Sequence, residues 1–269
     1  MPEGDTIFRT AVQLRKVLDG ETIVDASGRW EVENAASLIG RRMEGIESRG
    51  KHLLMHFDDE RVIHSHMGMT GSWHIYRPKE AWQKSERAAA LTLRTDRFCV
   101  VCFSPKLIEL ITAQRLRRNE YLNRLGPDLL GPRPNDREVL ARFRSQNAVP
   151  IGQVVMNQTV VCGIGNVYKS EVLFLERIHP LTLVAVLSDQ QILAIVKRSI
   201  DLMSRNLEGY PRRTRFAAGS NAWVYGRKDS ECFKCGVAIE MLRQGDLARS
   251  TYFCPQCQAG AAELNSRES

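Results

Sequence analysis

"CFKCGVAIEMLRQGDLARSTYFCPQC", residues 232–257, carries two C-x2-C pairs separated by 18 residues. A C-x2-C turn aims two thiolates at one tetrahedral centre, and a second such pair closes the shell. Four sulfurs leave no open position, so the spacing predicts a structural zinc ion on Cys232, Cys235, Cys254 and Cys257. Four buried thiols without an ion are the blander reading, and paired spacings of this kind rarely arise by chance. The block from 227 to 258 should form a β-hairpin, with Arg249 close to its tip.

The chain has seven cysteines, an odd number that suits no disulfide framework in a reducing compartment. Cys99 and Cys102 also stand three apart, in "RFCVVCFS". That run is β-branched and aromatic, and an extended backbone points such a pair to opposite faces. They read as core thiols, and so does Cys162.

Moving towards the N-terminus, a helix should begin at Ser188, where Gln191 completes a capping box. Ile192, Val196, Ile200 and Met203 form its apolar stripe, and Gly209 ends it. Before it, the glycine turn "VCGIGN" leads into "NVYKSEVLFLERI", with Tyr168, Val172 and Leu175 on one face. Backbone N–H groups at such a helix start, with Asn166 beside them, suit a phosphate; a plain N-cap is the bland alternative. "REVLARFRSQ" and "IGQVVMNQ" read as short helices. "RLGPDLLGPRPNDRE", with three prolines and two glycines, reads as an interdomain linker. From about Ile23 to Phe103 short alternating runs broken by turns predict a β-sandwich or flattened barrel.

A helix from Thr6 to Leu18, with Asp5 as its N-cap, follows directly on "MPEG". A small second residue usually permits removal of the initiator methionine. Pro2 would then be a free secondary amine with the Glu3 carboxylate beside it.

At 269 residues and 43% hydrophobic content the chain has room for two cored domains. Thirty-eight Lys and Arg against 31 Asp and Glu give a net charge of +7, which favours anionic partners. Nine basic residues against five acidic ones fall between Arg205 and Cys257. A metal-braced finger presenting Arg249 suits phosphate gripping; a solvated surface arginine is the alternative. No signal peptide or membrane-length apolar run is read, so the location expected is cytoplasmic.

"MPEGDTIF", "SRGKHLL", "HMGMTGSW", "RLGPDLL", "VVCGIGNVYKSEVLF", "VYGRK" and "ARSTYFCPQC" occur in order along almost the whole chain. In these motifs it resembles the formamidopyrimidine-DNA glycosylase/endonuclease VIII family of DNA repair enzymes. The resemblance implies an α+β fold: an N-terminal β-sandwich flanked by helices, then a helical domain with a helix–two-turn–helix motif and a zinc-finger β-hairpin. The boundaries expected are 1–123 for the sandwich, 124–138 for the linker, 139–226 for the helical domain, 227–260 for the finger and 261–269 for a tail. Damaged DNA, duplex or single-stranded, is the partner implied, bound between the domains by a monomer with its damaged nucleotide turned out.

Carried across motif by motif, Pro2 is the nucleophile, Glu3 its acid–base neighbour and Lys51 the β-hairpin lysine. Asn166 and Arg249 match the phosphate-binding asparagine and zinc-finger arginine, and His66 a phosphate-contacting histidine. Met69 matches the wedge that fills the hole left by the extruded base. Two departures stand out. Asp5-Thr6 replaces a second Pro-Glu. "CFSPKLIEL" stands where members that act on 8-oxoguanine resemble one another in D-P-R-R-F-G. The second departure implies the endonuclease VIII branch and oxidised pyrimidines as substrates. An 8-oxoguanine-type enzyme, a non-catalytic DNA-binding protein of the same fold and a zinc-ribbon RNA-binding module are the alternatives.

Overall fold

The computed structural model describes residues 2–208 and 211–259. Met1, the helix stop expected at Gly209, the end of the finger at residue 260 and the tail 261–269 lie outside the described residues. The chain divides into two compact units, Met1–Arg124 and Leu125–Ser269.

The first unit opens with α1, Gly4–Leu18, whose Ile7, Ala11, Leu14 and Leu18 form a buried stripe. The helix starts two residues before the expected Thr6, and Glu3 rather than Asp5 is its N-cap. The extended backbone of Glu3 lets its carbonyl accept from Thr6 and Ile7, at 2.9 and 3.1 Å. Asp5 falls instead inside the first turn, where a carboxylate complements the positive end of the helix.

Eight strands follow: β1 Asp25–Gly28, β2 Met43–Arg49, β3 His52–Phe57, β4 Arg61–His66, β5 Ser72–Tyr76, β6 Ala89–Arg94, β7 Cys99–Phe103 and β8 Leu107–Thr112. They form two antiparallel sheets of four, in the orders β1-β6-β7-β5 and β2-β3-β4-β8. Leu91, Leu93, Val100 and Cys102 of one sheet share a core with Leu53, Met55, Ile63 and Ile108 of the other, so the fold is a sandwich. α1 covers β2. Cys99 belongs to a separate apolar cluster with Tyr76 and Phe103, so the two cysteines do point to opposite faces. The strand-rich region also holds a 3-10 segment, Trp30–Leu38, and β8 carries it beyond Phe103. Two short helices, α2 Ala113–Arg117 and α3 Glu120–Asn123, end the unit.

The second unit has helices α4 Asp136–Arg144, α5 Ile151–Val154, α6 Asn166–Leu175 and α7 Asp189–Ser204, then the hairpin β9 Glu240–Gln244 and β10 Arg249–Phe253. The stretch read as a linker is largely packed into this unit. Leu129 joins the core, Asp128 bridges to Cys162, and Asn135 caps α4 through the Arg137 and Glu138 amides. Buried Leu125 and Leu129 on either side of Pro127 explain why it is not a free tether. α7 starts at Ser188 with the complete capping box, and Ile192, Val196 and Met203 are buried with Ile200 packed alongside. Among the described residues no helix is long and apolar enough to cross a membrane.

Candidate active site and metal centre

In the first unit, Pro2 is half-buried and Glu3 has no exposed surface. Glu3 is fixed because α1 begins on it, and Gly4 and Asp5 of the helix's first turn are buried as well. Lys51 stands in the tightest kind of hairpin. Arg49 pairs with His52, leaving only Gly50 and Lys51 to turn the chain. Gly50 takes a φ of +59°, which a residue with a Cβ adopts reluctantly.

His66 ends β4, and its Nδ1 accepts from the Gly68 amide at 3.1 Å. A neutral ring so bonded carries its proton on Nε2, ready to donate outward. Burial, then the Lys106 and Lys51 charges, lowers the His66 pKa to about 4, so the neutral form prevails. The next turn carries Met69 at its tip, 72% exposed. The Gly71 amide closes that turn on the Met67 carbonyl at 3.0 Å. A Cβ at Gly71 would lie 2.5 Å from that same oxygen, so only glycine permits the turn. The link from β7 to β8 is three residues, Ser104, Pro105 and Lys106, and Lys106 donates to the His66 carbonyl at 2.9 Å.

In the second unit, the turn before α6 is braced by Gln158, which accepts from Gly163 at 3.0 Å and donates to the Ile164 carbonyl at 3.0 Å. Asn166 is thereby the first residue of α6 and is 5% exposed. Its Nδ2 donates to Ser250 Oγ at 3.2 Å, and its Oδ1 is buried with no hydrogen-bond partner. The Lys169 ammonium donates to the Ser250 carbonyl at 3.2 Å, and Ser170 Oγ accepts from the Tyr252 amide at 3.2 Å. One helix therefore grips the first residues of β10, where Arg249 stands half-buried next to Ser250. Arg249 itself makes no side-chain hydrogen bond or ion pair with a described residue.

The four cysteines converge. Their Sγ atoms lie within 4.8 Å of one another, with 3.8 Å between Cys232 and Cys257 and 3.4 Å between Cys235 and Cys254. Zinc–thiolate bonds of about 2.3 Å in a tetrahedron set neighbouring sulfurs about 3.8 Å apart. The cluster fits such an ion. Two buried glutamines dock it: Gln258 accepts from Cys254 N at 2.9 Å and donates to Ile178 O at 2.8 Å, while Gln244 donates to Pro180 O at 2.8 Å.

Sequence reasoning passed over several participants. Lys169 and Glu171, in the middle of α6, are fully buried. The Glu171 carboxylate accepts from the amides of Trp223, Val224 and Tyr225 at 2.7–2.8 Å and from the Thr214 hydroxyl. A charge placed next to Val172 and Phe174 on a helix was the available signal.

Residues 1–106 match the family described as the formamidopyrimidine-DNA glycosylase N-terminal domain, and residues 125–216 match its H2TH domain. Over 266 residues the chain is 34% identical to a "Probable endonuclease 8 2" of Streptomyces coelicolor, covering 97% of this chain and 95% of that protein. The chain belongs to the formamidopyrimidine-DNA glycosylase/endonuclease VIII family. Another relative, from Mycolicibacterium smegmatis, is named "DNA-(apurinic or apyrimidinic site) lyase Nei2" and is 33% identical, over 97% of this chain and all of that one. A solved Lactococcus lactis Fpg (MutM) shares the family fold with a TM-score of 0.82 at 23% identity, over 96% of this chain and 100% of that one; it was crystallised with DNA containing N7-benzyl-Fapy-dG.

Proposed function

We propose that this chain is a bifunctional DNA glycosylase and AP lyase that removes oxidised bases, pyrimidines foremost, through the amino nitrogen of Pro2. The observation that carries the reading is a fully buried carboxylate, Glu3, following Pro2 directly at the start of α1. With Met1 removed, Pro2 presents a secondary amine. A free α-amino group titrates near about 8, close enough to neutrality to supply the unprotonated form, and a cation such as Lys51 disfavours its protonation further.

The amine attacks the sugar C1′ and the glycosidic bond breaks, the departing base taking the electron pair and a proton. Glu3 protonates the ring oxygen, and the opened sugar becomes an iminium on the Pro2 nitrogen. That cation acidifies C2′. Loss of a C2′ proton sends electrons through the new double bond and expels the 3′ phosphate. A second elimination releases the 5′ phosphate, and water frees the amine. His66 and Arg249 donate to phosphates, as does Asn166 at the N-terminus of α6, and Met69 fills the space left by the extruded nucleotide. Cys232, Cys235, Cys254 and Cys257 would hold a zinc ion, which would supply no chemistry to the substrate but would close the hairpin that carries Arg249.

The preference for pyrimidines is supported by the β7–β8 link. Three residues leave no room for a loop that inserts into the duplex and reads the opposite base. A site without that reader should tolerate any partner base and act on single strands too, where extrusion is easier. The test is borohydride trapping and single-turnover excision on matched duplexes carrying thymine glycol, 5,6-dihydrouracil, or 8-oxoguanine opposite cytosine. The expected result is a covalent adduct at Pro2 and faster excision of the two pyrimidines. Equal trapping of a form that retains Met1 would falsify the nucleophile. Faster excision of 8-oxoguanine would overturn the branch and leave the chemistry standing.

A further inference from the structure

The outer face of the β2-β3-β4-β8 sheet carries a buried polar array away from the sandwich core. His52 pairs with His66 across β3 and β4, and His64 pairs with Glu109 across β4 and β8. Strand alternation puts all four on one face, while Leu53, Met55 and Ile63 turn the other way into the core. Glu109 Oε1 lies 2.9 Å from His64 Nδ1, and His64 Nε2 lies 2.8 Å from His52 Nδ1. His52 and His64 are 5% and 1% exposed. The His52 ring then packs on His66, with 4.8 Å between centroids, and on Tyr121 of α3 at 5.4 Å.

With both rings neutral, donors and acceptors along this chain have one consistent order. Glu109 faces the Arg115 guanidinium, Oε2 to Nη2 3.7 Å, and a carboxylate so placed accepts only. His64 therefore donates from Nδ1 and must accept at Nε2. His52 donates to it from Nδ1, the less common tautomer of a free imidazole, and keeps a lone pair on Nε2. Burial above all, then His66, His64, Arg49 and Lys51, lowers the His52 pKa to about 2, so that ring stays neutral.

We infer that Glu109, His64 and His52 are positioning residues for His66: a hydrogen-bond chain of fixed direction that holds the His52 ring as a wall on which His66 sets its Nε2 donor towards a DNA phosphate. The inference rests on the reading of His66 as a phosphate contact. His66 alone has one bond to orient it, from the Gly68 amide, and rotation about that bond is checked by the ring beside it. The array binds nothing itself. It ties β3 to β4 and β4 to β8, starting from His52, the residue that follows Lys51 at the hairpin tip.

Two measurements test this. In long-range proton–nitrogen spectra of protein labelled at histidine, His52 and His64 should carry their protons on Nδ1 and His66 on Nε2; a proton on His52 Nε2 overturns the inference without reference to activity. The second measures affinity for a duplex containing a tetrahydrofuran abasic analogue. His64→Leu should weaken binding about tenfold, the order of one charge-assisted hydrogen bond, with the trapping rate at saturating DNA unchanged. His64→Gln, whose amide accepts from His52 and donates to Glu109, should restore affinity to within about threefold. On a His66→Ala background, His64→Leu should add less than about twofold, because coupled residues do not add. An equal loss on both backgrounds overturns the inference. If His66→Ala alone leaves affinity unchanged, the phosphate reading falls and this inference with it; if His66→Ala weakens binding and His64→Leu does not, only the inference falls.

Discussion

The histidine array of the first unit and the cysteine cluster of the second are both groups of four polar side chains brought together from segments distant in sequence. Their hydrogen-bonding needs are met in opposite ways. Glu109, His64 and His52 satisfy one another at 2.8–2.9 Å, because an imidazole is donor and acceptor at once. Four thiolates are acceptors only, and at 3.4–3.8 Å they repel until a cation sits among them. The first array is complete when the chain folds; the second would be complete only with an ion bound. Each accordingly sits behind a different kind of element. The self-sufficient one backs a sheet that has its own apolar core, while the conditional one holds a two-stranded hairpin that is too small to be stable alone.

Chelation is the strongest way to break that contrast. Removing the ion, or Cys254→Ser, should unfold the hairpin and reduce DNA affinity by more than about a hundredfold, while the first unit keeps its structure. Amide exchange resolved by residue reads both; a protected β9–β10 pair without metal would show that the contrast is wrong. Glu171→Ala sharpens it from the other side, since Glu171 is a buried charge satisfied wholly by backbone amides and one hydroxyl. Stranding those donors should destabilise the second unit by about 3 kcal/mol, read by urea unfolding.

Acid should find the first array's weakness. The folded pKa values of His52 and His66 lie below the ordinary histidine value of 6.5. Their contribution is complete above about pH 6.5 and is lost as the pH falls towards about 4, because the unfolded chain takes up protons that the folded one refuses. Urea midpoints of the isolated first unit at pH 7.5 and 5 should therefore fall, and His52→Phe should flatten the slope. The smallest effect is expected from Arg249→Ala, whose guanidinium bonds no described residue. Stability should not change, while the salt dependence of DNA binding should drop by about one phosphate's worth.

The same contrast explains what could be read before the structure. The cysteine spacing is local, so its geometry is written into a turn, and the capping box of α7 spans only Ser188 to Gln191. The histidine array depends on the register of three strands, and no spacing between residues 52, 64 and 109 announces it. Glu171 reaches amides 52–54 residues away. The start of α1 was misplaced for a different reason. Asp5 is the better N-cap by propensity, yet the helix begins on buried Glu3 and Gly4, whose carbonyl and amide geometry sets the boundary earlier. Prolines and glycines point to a linker at 124–138, yet Leu125 and Leu129 in that stretch are buried.

Gln258 links the metal site to the rest of the second unit, with its amide spanning the Cys254 N–H and the Ile178 carbonyl just beyond α6. Folding of the helical body and retention of an ion on the four cysteines would therefore be linked equilibria, and linkage runs both ways. A substitution that loosens the chain around Ile178, far from any sulfur, should register as faster loss of zinc, and bound zinc should in turn raise the melting temperature of the helices. The affinity of the finger for its metal is in that sense a property of the whole unit.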